Sequence, residues 1–279
     1  MKVFRSIEVI RAYLSEQRNQ QKKIGLIPTM GALHDGHLAL VEKAKESCDL
    51  VLISIFVNPA QFNNSEDLEK YPRNIELDLK LLQHAECDIV FTPSVEQMYE
   101  SKSIIKFNVG YLDNIMEGRF RPGHFSGVGL VVSKLFNIID PDISFFGQKD
   151  LQQLVLINIL AKELNFRTEI VGVATVREAS GLAKSSRNQR LNAAGIKTAK
   201  NIYKGLKLLK SKILSEIMLD EAVEETKQFY NEVDGFELEY LEVVKTNDLE
   251  SIHEYNPEIV SSICIAGYVA GIRLLDNIC

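Results

Sequence analysis

KKIGLIPTMGALHDGHLALVEKAKESCDLVLISIFV, residues 22–57, is the stretch that decides the fold. It begins with a short apolar run, Lys22 to Pro28, which Pro28 closes in the manner of a buried strand. Leu38, Val41 and Lys45, with Leu40 and Ala44, then fall into a helix-like rhythm. The β-branched run DLVLISIFV, 49–57, reads as a second strand stopped by Asn58-Pro59. A strand, a helix and a strand this close together form a βαβ unit. Its two strands run parallel, because the helix carries the chain back across the sheet.

The pattern continues outward. Ile75 to Ala85 predicts a helix, and CDIVFT, 87–92, a strand closed by Pro93. Val128 to Ile139 predicts a helix ended by Asp140-Pro141, followed by strand Ile143 to Phe146, helix Leu151 to Leu164 and strand Thr168 to Ala174. These strands are apolar on both faces, as strands covered by helices on both sides must be. The expectation is an α/β fold, a doubly wound Rossmann-like parallel sheet. After Arg190 the order changes: helices Ala193 to Ile213 and Leu219 to Tyr230 precede three strand-like runs, Glu237 to Val244, Ile259 to Ala266 and Gly271 to Leu275. Helices followed by antiparallel strands predict a second, smaller α+β domain. The boundary is expected near Thr175 to Arg187, giving domains of 1–176 and 177–279, and a chain of 279 residues is long enough to need two cores.

Composition narrows the function classes. A formal net charge of −6 argues against a general nucleic-acid or membrane-surface binder, so neither partner is expected. Cys48, Cys87, Cys264 and Cys279 are scattered without a C-x-x-C, which fits free thiols better than a disulfide framework or zinc site. The start, MKVFRSIEVIRAYLSEQ, alternates apolar and charged residues too finely for a signal peptide. No apolar run approaches the roughly 18 residues of a membrane span. A cytoplasmic protein is expected.

Ligands of a doubly wound sheet bind beyond the carboxyl ends of its strands, and the unusual polar clusters fall there. The first strand leads to Thr29-Met30-Gly31 and then to His34-x-x-His37 at a helix N-terminus; the second leads to Asn58-Pro59-Ala60-Gln61-Phe62. The strand at Phe145-Phe146 leads to Gly147-Gln148-Lys149-Asp150, and that at Val173 to Thr175-Val176-Arg177 and on to Lys184-Ser185-Ser186-Arg187-Asn188. Free N–H groups and partial positive charge at a helix start suit a phosphate. Imidazole N–H groups of His34 and His37 would add donors that strengthen as charge develops on it. Plainer alternatives stay open: His34 as a helix cap with His37 on the surface, Lys149 as a solvated loop lysine, and Lys184 to Asn188 as a surface turn. A metal pair at His34 and His37 lacks a third ligand, so no protein-held metal is expected. There is no Walker A sequence, and Gly127-x-Gly129 is too sparse for a dinucleotide fingerprint.

Taken together, PTMGALHDGH (28–37), FVNPAQF (56–62), RPGHFSGV (121–128), FFGQKDLQQL (145–154), TVREASGLAKSSRNQRL (175–191) and AGYVAGIRLLDNI (266–278) resemble the pantothenate synthetases of the H-x-G-H nucleotidyltransferase-like superfamily. The resemblance implies ATP-dependent condensation of (R)-pantoate with β-alanine through a pantoyl adenylate, releasing AMP and pyrophosphate, with Mg²⁺ accompanying ATP. It also implies a homodimer. A carboxylate is a poor acyl donor until its oxygen joins a good leaving group, and adenylation supplies one.

Carried over residue by residue, the resemblance makes Met30, Gly31, Ala32, Leu33, His34, Asp35, Gly36 and His37 the ATP loop, with His37 the proton donor to phosphate and His34 assisting. Gly147, Gln148, Lys149 and Asp150 would hold nucleotide, Lys149 reaching the phosphates as the third catalytic residue. Val176 would meet the adenine side, and Lys184, Ser185, Ser186 and Arg187 would form a second phosphate-binding segment. Gln61 and Gln153 would hydrogen-bond pantoate, Gln61 also lying near β-alanine, since an amide both donates and accepts. His124 is either a further site member or a turn residue. Two positions depart from the family pattern: Lys184 stands where methionine is common, and Ala174 where proline is usual.

Overall fold

The computed structural model describes residues 1–101, 103–215 and 217–279. The chain forms two compact units, one of residues 1–148 with 152–174, the other of 149–151 with 175–279.

The first unit is built on a six-stranded sheet in which every pairing is parallel. Its strands are β1 (Lys2–Phe4), β2 (Ile24–Thr29), β3 (Leu50–Ile55), β4 (Ile89–Phe91), β5 (Ile143–Gly147) and β6 (Glu169–Val173), in the spatial order β1-β4-β3-β2-β5-β6. The helices are α1 (Ile7–Asn19), α2 (Asp35–Lys45), α4 (Ile75–His84), α7 (His124–Ile139) and α8 (Leu151–Glu163), with short α3 (Ser65–Glu69), α5 (Val95–Met98) and α6 (Met116–Phe120). Val41 and Ala44 of α2 and Leu82 of α4 pack on Ile27, Ile53 and Phe145 of the sheet to form one apolar cluster. Strands β2 to β6 stand where the sequence predicts strands. It predicts nothing before Lys22, where β1 and α1 lie. The reason is physical: β1 is a three-residue edge strand, and α1 buries only Ile10 and Leu14, with Ser6 capping it by accepting from the Val9 N–H at 3.4 Å. Helix α7 begins four residues earlier than predicted, at His124, and ends as predicted, with Asp140 in the left-handed region at φ 47° before Pro141.

Strand order creates the ligand crevice. From β2 the chain adds strands on one side, β3 and then β4, before β5 and β6 are laid on the other. The reversal falls between β2 and β5, the place where open α/β sheets bind ligands. There the ladder spans only Gly25↔Ile143 and Leu26↔Ser144, although both strands run on to Thr29 and Gly147. Pro28, with no N–H to give, lies in this splayed part.

The second unit folds around α9 (Ala193–Leu214), α10 (Leu219–Asn231) and an antiparallel sheet of β7 (Phe236–Lys245), β8 (Ser261–Val269) and β9 (Ile272–Ile278), in the order β7-β8-β9. Tyr230 is fully buried at its centre, its hydroxyl donating to the Ile202 carbonyl at 2.6 Å. Gly205 makes that possible, since a Cβ there would collide with the tyrosine ring. Cys48, Cys87, Cys264 and Cys279, all among the described residues, form no disulfide. Among the described residues, no helix is long and apolar enough to cross a membrane.

Candidate active site

In the first unit, the loop from Met30 to His37 leaves β2 through two left-handed residues, Gly31 at φ 81° and Ala32 at φ 51°. Such a conformation costs an alanine about 1–2 kcal/mol. Asp78 of α4 holds it in place: its carboxylate accepts from the Ala32 N–H at 3.0 Å and the Leu33 N–H at 2.8 Å. Asp78 is 2% exposed, and burial pushes its carboxyl above the usual carboxylate range while these two N–H donors pull it down. Gly31 has a second reason to be glycine, because a Cβ would lie 2.9 Å from Asp78 Oδ2.

His34 is the N-cap of α2, as the plainer alternative had it. Its Nδ1 accepts from the Gly36 N–H at 3.1 Å, and His37 Nδ1 accepts in turn from the His34 N–H at 3.3 Å. The rings lie 4.2 Å apart, centroid to centroid. A cap is no argument against chemistry here. An imidazole whose Nδ1 accepts carries its proton on Nε2, so this hydrogen-bond pattern assigns both rings the tautomer that offers Nε2–H as a donor.

After β3 the chain turns through a short 3-10 helix, Pro59–Gln61, capped by Asn58, whose Oδ1 accepts from the Ala60 N–H at 3.3 Å. Asn58 is 1% exposed and also donates to Gln61 Oε1 at 3.0 Å and the Gly127 carbonyl at 3.1 Å, while Tyr99 donates to it at 2.8 Å. Gln61, 7% exposed, points its Nε2 at Met30 Sδ, 3.1 Å away, so two predicted site residues meet. Gly127 is no part of a nucleotide fingerprint. It lets α7 reach this turn, because a Cβ would strike the Ala60 carbonyl. His124, 5% exposed at the start of α7, donates from Nδ1 to the Gln61 carbonyl at 2.8 Å and accepts at Nε2 from Arg121 at 3.0 Å. Arg121 lies 3.6 Å from Glu117. His124 thus holds Gln61 in place. On α8, Gln152 is buried and bonds the Leu112 and Ile115 carbonyls and the Glu117 N–H; its neighbour Gln153 is half-buried. Gly147 ends β5 and Gln148 opens the 3-10 turn Gln148–Asp150.

In the second unit, Lys149 lies 3.7 Å from Asp150, its side chain 17% exposed. The Thr175 to Lys184 segment is a tight hairpin. Arg177 bridges Ala183, the Lys184 N–H donates to the Val176 carbonyl at 2.9 Å, and Gly181 turns the chain at φ 90°. Ser185 caps the following 3-10 helix, Ser186–Arg190, and Asn188 ties it back to the Ala183 carbonyl at 2.9 Å. Lys149, Ser185 and Arg187 line one small cleft, with Arg273 and Asp276. Lys184 is half-buried and Ser186 buried, and neither lines that cleft.

Asp78, Gln152, Asp276 and Asn277 are not singled out by sequence, and Asn58 enters only within the polar cluster after the second strand. For two of them a signal existed. Asp78 shares the buried stripe of α4 with Leu82, and Asp276 shares a strand face with Ile272 and Leu274. A carboxylate on an apolar face asks for a partner.

Residues 2–279 match the family model described as pantoate-beta-alanine ligase. The pantothenate synthetase of Cytophaga hutchinsonii is 47% identical over 274 residues, covering 98% of this chain and 97% of that one. The solved pantothenate synthetase of Thermus thermophilus superposes with a TM-score of 0.93 at 38% identity, covering 100% of this chain and 99% of that one. The pantoate-beta-alanine ligase of Francisella tularensis, solved with beta-gamma ATP and β-alanine, gives 0.81 at 35% identity, covering 100% and 97%. With its sheet, its histidine-capped loop and its small antiparallel unit, the chain belongs to the pantoate–β-alanine ligase family.

Proposed function

We propose that this protein condenses (R)-pantoate with β-alanine at the expense of ATP, through a pantoyl adenylate, releasing AMP and pyrophosphate. The observation that carries the mechanism is the histidine-capped start of α2 beside the splayed ends of β2 and β5. The partial positive charge at that helix start and the Nε2–H donors of His34 and His37 suit the charge that builds on phosphate when the pantoate carboxylate attacks the α-phosphorus. His37 gives the proton and His34 assists. Met30 to His37, Gly147 to Asp150, Val176 and Lys184 to Arg187 bind ATP, Lys149 taking the phosphates. Gln61 and Gln153 grip pantoate, and Gln61 borders β-alanine. The β-alanine amine then attacks the acyl carbon and AMP leaves.

In this reading magnesium would arrive with ATP, held mainly by the nucleotide, with the Asp150 carboxylate beside Lys149 a side chain of this segment that could offer it an oxygen. Residues 1–176 act as the nucleotide- and pantoate-binding domain and 177–279 as a smaller lid domain, a division supported by the compact units that part at Ala174 and Thr175. A cytoplasmic homodimer is part of the reading. The test is to incubate the protein with ATP, Mg²⁺, pantoate and β-alanine and to identify the products. Pantoate-dependent AMP and pyrophosphate are expected; ADP and phosphate would overturn the adenylate mechanism.

A further inference from the structure

The last strand of the second unit carries two adjacent buried polar residues, Asp276 and Asn277, only 3% and 6% exposed. Asp276 accepts a two-pronged bond from Arg177, Nη1 to Oδ2 at 2.6 Å and Nη2 to Oδ1 at 3.0 Å. The same guanidinium donates to the Asn277 carbonyl at 2.8 Å and the Gly181 carbonyl at 3.1 Å, and lies 4.2 Å from the Tyr203 ring centre. It therefore fixes both arms of the hairpin that leads into Ser185. Asn277 then reaches the other way, its Nδ2 donating to the Lys149 carbonyl at 2.7 Å. Two neighbouring residues thus grip the two chain segments that line one cleft.

Stability alone does not explain such an arrangement. A buried ion pair is often no more stabilising than apolar side chains of the same volume, and in some proteins what it adds is a fixed geometry. Arg177 also neutralises the Asp276 carboxylate in the cleft wall, which would otherwise repel a phosphate. We infer that Asp276 and Asn277 are positioning residues for adenylation, setting the spacing of Lys149 from the Ser185–Arg187 segment. This inference rests on the reading that both segments contact the ATP phosphates.

The two half-reactions separate positioning from folding. Asn277→Asp keeps the side chain's size but removes the donor to Lys149, and Arg177→Lys keeps the charge but loses the two-pronged bond. Misplacement of reacting groups by an ångström costs on the order of 10²-fold, so each variant should slow pantoate-dependent exchange of pyrophosphate into ATP by about tenfold or more. The KM for ATP should move less than about threefold, since the binding groups themselves remain. Coupling of β-alanine to supplied pantoyl adenylate should be unchanged, and melting temperature is recorded for each protein. Equal loss in both half-reactions, tracking a lowered melting temperature, would show a purely structural pair and overturn the inference. Should Asn277→Asp fail to fold, Arg177→Lys decides alone. Lys149→Met is assayed alongside. If it leaves exchange intact, the phosphate reading falls and this inference with it. If it abolishes exchange while Asn277→Asp and Arg177→Lys do not, the positioning inference alone falls.

Discussion

The two segments proposed to handle phosphate are held by opposite means. His34 and His37 are fixed by backbone groups within three residues of themselves, the economy of a helix cap. The Thr175 to Arg190 segment is fixed by a guanidinium paired with a carboxylate 99 residues further along the chain, and Lys149 by an amide 128 residues away. A locally capped site is ordered as soon as its helix forms. A site held across the chain is ordered only when β9 is in place. Errors far from the chemistry should therefore disturb the second more than the two histidines, whose loop is tied from afar by Asp78 at Ala32 and Leu33.

Breaking the local cluster should give the largest effect. His37→Ala is expected to lower kcat for adenylation by roughly 10²-fold or more, as the loss of an oxyanion-type donor does. Supplied with pantoyl adenylate, the variant should still couple β-alanine; equal damage to both steps would remove His37 from the phosphate.

Gln153→Ala comes next. Deleting one neutral partner in a desolvated pocket costs about 1–3 kcal/mol, so the pantoate KM should rise while the ATP KM stays nearly constant. A comparable ATP defect would move Gln153 out of the pantoate pocket.

Lys184 sharpens the contrast within the second segment, because its backbone holds the hairpin while its side chain lies outside the cleft that Lys149 lines. Lys184→Met should weaken ATP use by only about 3- to 30-fold, with a penalty that shrinks at high salt. Lys149→Met should strike kcat far harder. Equal damage from both would mean that this chain has shifted phosphate chemistry onto Lys184.

The smallest effect is a slope with pH at Asp78. Its buried carboxyl titrates above the ordinary range, so across that window the folded protein binds more protons than the unfolded chain. This contribution to stability is fully present below the ordinary carboxylate value, about 3.9, and is lost as pH rises through the raised one. Asp78→Asn removes it. The stability of the parent protein minus that of Asp78→Asn, from urea melts, should therefore decline as pH rises and then level off. A difference that grows with pH would mean that the two N–H donors outweigh burial.

The sequence by itself determined the parallel sheet and the H-x-G-H end of the site, because both depend on neighbours in the chain. Apolar runs announce β2 to β6, all but β6 bordered by a proline, and His34 with His37 follows soon after the strand that leads to it. Its signal failed where elements are short or weakly apolar: β1 with α1, and the first turn of α7, whose His124 is buried by a bond to Gln61 63 residues away. Tertiary structure alone decided which polar residues hold the others. Asp78 under Ala32 and Leu33, His124 under Gln61, and Asp276 with Asn277 beneath Arg177 and Lys149 are each separated from their partners by 45 residues or more. A buried polar group announces in sequence only that it needs a partner. Which partner it finds is settled when strand order and helix packing bring distant backbone to it.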